Sequence, residues 1–150
     1  MKSFEIEALR RLLFFSVPEA AALVGGVSEQ AWRRWESGAR AVPGDVAQRL
    51  RGLAMWRDSA IATAKNQVRD APADVVVALI WYGALDDWAS LAGREPALWR
   101  PQQSVVAALV TESPRLVKLV SFDVPAYAAW LGGRSDSEAL RGQWAATVES

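Results

Sequence analysis

The sequence predicts a mainly α-helical protein with a helix-turn-helix domain over residues 1–70 and a smaller α+β domain over residues 73–150. Three observations lead there. Apolar residues recur at three- and four-residue spacing through the first seventy positions, and capping serines and glycine stops divide them into helices. Two of those helices are short and separated only by a tight turn at Gly25-Gly26. Composition then changes at Asp70-Ala71-Pro72, from an Arg- and Ala-rich stretch to the β-branched run Val75 to Tyr82.

Taken in order, Ser3 is placed to cap a first helix whose inward residues are Ile6, Leu9, Leu12 and Leu13, ending near Phe15. Ser16-Val17-Pro18-Glu19 reads as a capping box with proline in the first turn, opening a short helix through Ala20, Ala21, Leu23 and Val24. Ser28 caps a third helix with Ala31, Trp32 and Trp35 inward, and Gly38 supplies the left-handed position that ends it. After Ala41-Val42-Pro43, a longer helix starts at Asp45, carries Val46, Leu50, Leu53, Ile61 and Ala64 on one stripe, and runs to about Val68.

Beyond the boundary, Val75 to Tyr82 and Leu116 to Phe122 read as strands, with short helices at Asp86 to Ala92 and Pro101 to Thr111 between them. Val105, Val106 and Leu109 face inward on the second of these. Pro125 to Leu131 and Ser137 to Ala146 read as closing helices, with Ser135 or Ser137 as cap.

Composition narrows the function. With 51% hydrophobic and 23% charged residues the chain can bury a core. It has no cysteine and no histidine, which removes thiolate metal sites, thiol nucleophiles and imidazole acid–base chemistry. Lys65, Lys118, Ser104 and Ser121 are isolated, and the adjacent Asp86-Asp87 do not face each other on a helix, so they read as capping acids. An enzyme is not expected, nor is a cofactor. No apolar run reaches the roughly 20 residues of a membrane span, and the start lacks a signal-peptide pattern, so a cytoplasmic location is expected.

Formal net charge is zero, but its distribution is uneven. Residues 1–57 carry nine cationic against six anionic side chains, and the remainder carries eight against eleven. The sign fits a basic reading head on a more acidic body.

In a helix-turn-helix the second helix presents its N-terminal turn to base edges while its inner face packs on the preceding helices. Trp32 and Trp35 anchor the third helix, and Glu29, Gln30, Arg33 and Arg34 fall on the opposite or flanking surface. Arg donates bidentately to guanine, Gln pairs with adenine, and Glu accepts from cytosine. Gln30 and Arg33 are therefore expected to read bases, Arg34 to read a base or hold phosphate, and Ser28 and Arg40 to hold phosphate. Arg49 and Arg51 sit on the following helix and are weaker candidates. The same basic face also suits structured RNA, since phosphate contacts do not distinguish the two polymers.

The run Val27-Ser28-x-x-x-Trp32-x-x-Trp35-Glu36-Ser37-Gly38-x-x-x-Val42-Pro43 resembles the Cro/repressor-type helix-turn-helix, the lambda-repressor fold. Glu7-Ala8-Leu9-Arg10, Ser16-Val17-Pro18-Glu19-Ala20-Ala21, Trp99-Arg100-x-x-Gln103-Ser104-Val105 and Thr111-Glu112 are similar to one branch, the YdiL-like proteins, which include anti-CRISPR-associated repressors. The resemblance spans about residues 4 to 112. It implies a homodimeric, autoregulating repressor that binds double-stranded DNA, with an N-terminal reading domain and a C-terminal dimerisation domain. The chain continues past Pro114 for a strand and two helices more than the shorter members. That extension leaves open an antitoxin-like role in which a protein partner is gripped and DNA binding is secondary.

Overall fold

A computed structural model of the chain describes residues 1–149. Helix α1 spans Ser3–Leu12, and its cap is Lys2 rather than Ser3, because Glu5 reaches back to accept the Lys2 backbone N–H at 2.5 Å. Ile6 and Leu13 are fully buried, whereas Leu12 is exposed. Six residues beyond Ile6, it sits about 240° further round the helix, away from the core-facing stripe.

Helix α2 (Val17–Ala20) opens with the expected capping box: Ser16 Oγ accepts from Glu19 N–H at 3.3 Å and Glu19 Oε2 accepts from Ser16 N–H at 2.9 Å. It widens into a π turn over Ala21–Gly25 and stops at Gly26, whose φ of 60° is left-handed. Gly25 serves a different purpose. A Cβ there would lie 3.0 Å from Val27 Cγ2 and 3.2 Å from the Trp32 ring, so the absent side chain lets the turn approach the next helix.

Helix α3 (Glu29–Glu36) is capped by Ser28, whose Oγ accepts from Ala31 N–H at 3.2 Å. Helix α4 (Gly44–Asp70) begins one residue before the expected Asp45 and runs for 27 residues. Val46, Leu50, Leu53 and Val68 are buried along it, while Ile61 and Ala64 are only half-buried.

Two compact units result, and they are not consecutive in the chain: Met1–Ala60 with Glu95–Val105, and Ile61–Arg94 with the residues from Val106 on. The first has its core in Ile6, Leu13, Phe15, Val24, Trp32, Trp35, Val46 and Leu50.

In the second unit, β1 (Val77–Trp81) pairs in parallel with β2 (Val117–Ser121), from Val77 opposite Val117 to Trp81 opposite Ser121. Parallel strands need a crossover. It is built from α5 (Leu85–Ala89), a 3₁₀ turn at Pro96–Leu98 and α6 (Trp99–Glu112), on which Val105, Val106 and Leu109 are buried as expected. Ala84 caps α5, so Asp86 and Asp87 lie within its first turn, where they favour the helix dipole, and are not its cap. Helices α7 (Val124–Leu131) and α8 (Glu138–Thr147) close the chain, the latter capped by Ser137 through the Leu140 N–H.

The core of this unit is aromatic. Phe122 lies 4.9 Å from Tyr82, 5.5 Å from Tyr127 and 5.6 Å from Trp144, centroid to centroid. Tyr127 donates its hydroxyl proton to Asp136 at 2.6 Å; burial and that bond push the phenol up to about 12. Lys118 reaches the Val148 carbonyl, so the even-numbered side of β2 faces α8. The opposite side carries Val77, Leu79, Trp81 and Val117, all half-buried, and Leu119, which is exposed.

Arg115 organises the chain between α4 and β1. Its guanidinium donates to the carbonyls of Val68 (3.3 Å), Ala71 (2.6 Å), Pro72 (3.0 Å), Ala73 (3.4 Å) and Val75 (2.7 Å). Most of these are carbonyls that a helix end and an irregular segment leave without backbone partners, although Pro72 also accepts the Val75 N–H at 3.0 Å.

Candidate nucleic-acid interface

Helix α3 is held by its inner side. Trp32 and Trp35 are buried and meet edge to face at 5.5 Å. The Trp32 indole donates to Glu36 Oε1 at 2.8 Å, and Arg10 Nε donates to the same oxygen at 2.5 Å. Arg10 adds a second bond to Glu36 Oε2 at 3.3 Å and a third to the Phe15 carbonyl at 2.9 Å. Both charged side chains are largely out of water, at 11% and 15% exposure. Burial alone raises the Glu36 carboxyl, but the bonds from Arg10 and Trp32 outweigh it and hold the group below the ordinary carboxylate value.

The outer side of α3 is free. Ser28, Glu29, Gln30, Arg33, Arg34 and Arg40 are all exposed. At 100° per residue, Glu29, Gln30, Arg33 and Arg34 cover about 140° of arc, turned away from the two tryptophans. Arg33 is not isolated there: its Nε and Nη2 both donate to Glu29 Oε1, at 3.0 and 2.6 Å. The side chains of Gln30, Arg34 and Arg40 make no hydrogen bond or ion pair with the described residues.

Arg40 stands apart from the other five, past the C-terminal end of α3, where its backbone N–H bonds the Arg34 carbonyl at 3.0 Å. Gly38, at φ 77°, makes that reversal. Ser28 spends its oxygen on the helix cap, which leaves its hydroxyl proton to donate. Arg49 is engaged with Glu95 at 3.3 Å, and Arg57 is largely buried against Ser104 Oγ at 3.0 Å.

Sequence reasoning assigned no role to Arg10 or Glu36, nor to the supports that α6 provides. Arg100 clasps Glu19 on α2 with two bonds, 2.7 and 3.0 Å, stacks 4.0 Å from the Trp99 ring, and donates to Gln103 Oε1 at 2.7 Å. Burial raises the Glu19 carboxyl, and the bonds from Arg100 and Ser16 N–H more than reverse that. The run Trp99-Arg100-x-x-Gln103-Ser104 is thus a brace for the helices before α3. Its spacing was visible, but the distance of 81 residues to Glu19 was not.

Among the described residues, none group to hold a metal ion, and no helix is long and apolar enough to cross a membrane.

A model of the Aca2/YdiL-like family matches residues 1–117, and the chain belongs to that family. Within it, the chain is 36% identical over 113 residues to the Aca2 repressor of Pectobacterium phage ZF40, a match covering 75% of this chain and 95% of that protein. It is also 29% identical over 58 residues to the uncharacterized protein YdiL of Escherichia coli K12, covering 38% of this chain and 49% of YdiL. The family match stops where β2 begins. Most of that strand, α7 and α8 lie beyond it.

Proposed function

We propose that this protein is a transcriptional repressor that reads duplex DNA with α3, the second helix of a helix-turn-helix formed by α2 and α3. One observation carries the reading. The helix is fixed from within by Trp32, Trp35 and the Arg10–Glu36 pair, while Glu29, Gln30, Arg33 and Arg34 all stand in solvent on its other side. A rigid helix with an exposed, hydrogen-bonding outer arc is what major-groove readout requires. Similarity to a phage repressor over most of the chain supports the regulatory role.

In this reading Gln30 and Arg33 contact bases, Arg34 contacts a base or a phosphate, and Ser28 and Arg40 grip phosphates at the two ends of the helix. With no net positive charge on the chain, non-specific attraction is modest and discrimination rests on these few groups.

One such helix covers half a site, so the protein acts as a homodimer on an inverted repeat, with residues 73–150, apart from the stretch Glu95–Val105 that packs with the N-terminal residues, as the dimerisation domain. The half-exposed apolar side of the sheet, with Leu119, and the exposed Val76 and Leu116 supply apolar surface of the kind subunit contacts cover.

Selection of bound sequences from random duplexes tests the whole reading. The expected result is an enriched inverted repeat that outcompetes RNA hairpins at equal salt. Recovery of no motif, or preference for the hairpins, would overturn it.

A further inference from the structure

The outer arc of α3 contains a bond that base reading alone does not explain. Glu29 Oε1 accepts from both Nε and Nη2 of Arg33, the pair lying one turn apart with the acid on the N-terminal side. That order is the favourable one on a helix. A guanidinium has two edges that can donate in parallel: the side edge, Nε with Nη2, and the end edge, Nη1 with Nη2. Glu29 occupies the side edge. The end edge keeps its remaining donors without a partner among the described residues, on a side chain that is 62% exposed.

We propose that Glu29 is a positioning residue for Arg33 and sets specificity by holding the guanidinium's side edge, so that only the end edge meets a guanine. This rests on the DNA reading above. Two physical consequences separate it from a direct role for Glu29 as a base acceptor. A long side chain fixed in one plane loses less freedom when it binds, which favours the one base whose two acceptors match that plane. The carboxylate also cancels much of the Arg33 charge as seen by phosphates, which weakens binding to arbitrary sequences. Releasing Arg33 should therefore strengthen non-specific binding more than operator binding.

The test compares wild type, Glu29→Gln, Arg33→Ala and the double variant. Each is first subjected to selection from random duplexes, then to titration against the enriched site and an unrelated duplex at several salt concentrations. Glutamine keeps the shape and reach at an exposed position, and circular dichroism checks that each variant is folded. Glu29→Gln should lower the ratio of operator to non-specific affinity about five-fold or more, the lower end of what one bidentate guanine contact discriminates. Its non-specific salt slope should steepen by about one, as for one added phosphate contact. In the Arg33→Ala background the same change should leave the ratio unaltered, because there is nothing left to position.

Several results would overturn the inference and leave DNA reading intact. These are an unchanged ratio, an equal fall in the Arg33→Ala background, or loss of operator affinity with a changed preference at a position occupied by cytosine. Failure of the wild-type protein to enrich any site would remove both.

Discussion

Arg10 of α1 and Glu36 of α3, 26 residues apart in the chain, meet at 2.5 Å in a setting mostly closed to water, and the Trp32 indole donates to the same carboxylate oxygen. The three groups form one unit. It joins the first helix to the last turn of the proposed reading helix, so the angle at which α3 is presented depends on it.

Removing one member leaves the others buried without compensation. Glu36→Gln should cost about 2 to 3 kcal/mol, measured from the urea midpoint, because Arg10 keeps its charge and loses its counter-charge. A cost below about 0.5 kcal/mol, the scale of an exposed pair, would show that the pair contributes only as a surface contact.

The same group predicts how the protein responds to acid. Glu36 and Glu19 both have folded-state values below the ordinary 4.5. A depressed carboxylate stabilises the fold above its unfolded value, and that contribution disappears as pH falls through the lower folded value. Stability should therefore drop as pH falls below the ordinary carboxylate value of 4.5 and through the lowered folded values, and the drop should be shallower in a Glu19→Gln/Glu36→Gln variant followed by denaturant midpoint. Equal slopes in the two proteins would place the acid sensitivity elsewhere.

Trp32 and Trp35 offer a matched comparison. Both are buried on one helix, but the Trp32 N–H bonds Glu36 while the Trp35 N–H has no partner among the described residues. Replacing either by phenylalanine removes the same volume. Trp35→Phe also relieves a buried, unsatisfied donor, so Trp32→Phe should be the costlier by about 1 to 2 kcal/mol. The reverse order, found in equilibrium unfolding, would contradict the hydrogen-bond assignment.

Arg115 should be hard to replace. Its five carbonyl contacts need the flat, multi-donor guanidinium, which lysine cannot imitate. Arg115→Lys and Arg115→Ala should both speed amide exchange across residues 71–77, with a loss of about 1 to 3 kcal/mol for alanine. Unchanged protection there would mean the segment is held by other contacts.

Arg33→Ala and Arg34→Ala should differ in kind. Loss of Arg33 is expected to cost about 1 to 3 kcal/mol at the enriched site and to relax preference at one base position. Loss of Arg34, if it grips phosphate, should weaken all sequences alike and lower the salt slope by about one. Titration of both variants against matched and single-mismatch duplexes distinguishes these outcomes.

Local chemistry accounts for most of what could be read from the sequence alone. The capping box at Ser16 and Glu19, the Ser28 cap, the glycines that end α2 and α3 and the inward pair Trp32 and Trp35 all act within a few residues of themselves. Their positions in the chain therefore determine their structure. So does the outward arc of Glu29, Gln30, Arg33 and Arg34, because helical periodicity alone turns it away from the tryptophans. Only the tertiary structure decided what long side chains do once distant segments meet. It joined Arg10 to Glu36, brought Arg100 to Glu19 and Arg115 to the carbonyls after α4, and packed Glu95–Val105 with the N-terminal residues. The guanidiniums of Arg10, Arg100 and Arg115 sit on flexible stems and find partners far away in the chain, which only the packing of distant segments brings within reach.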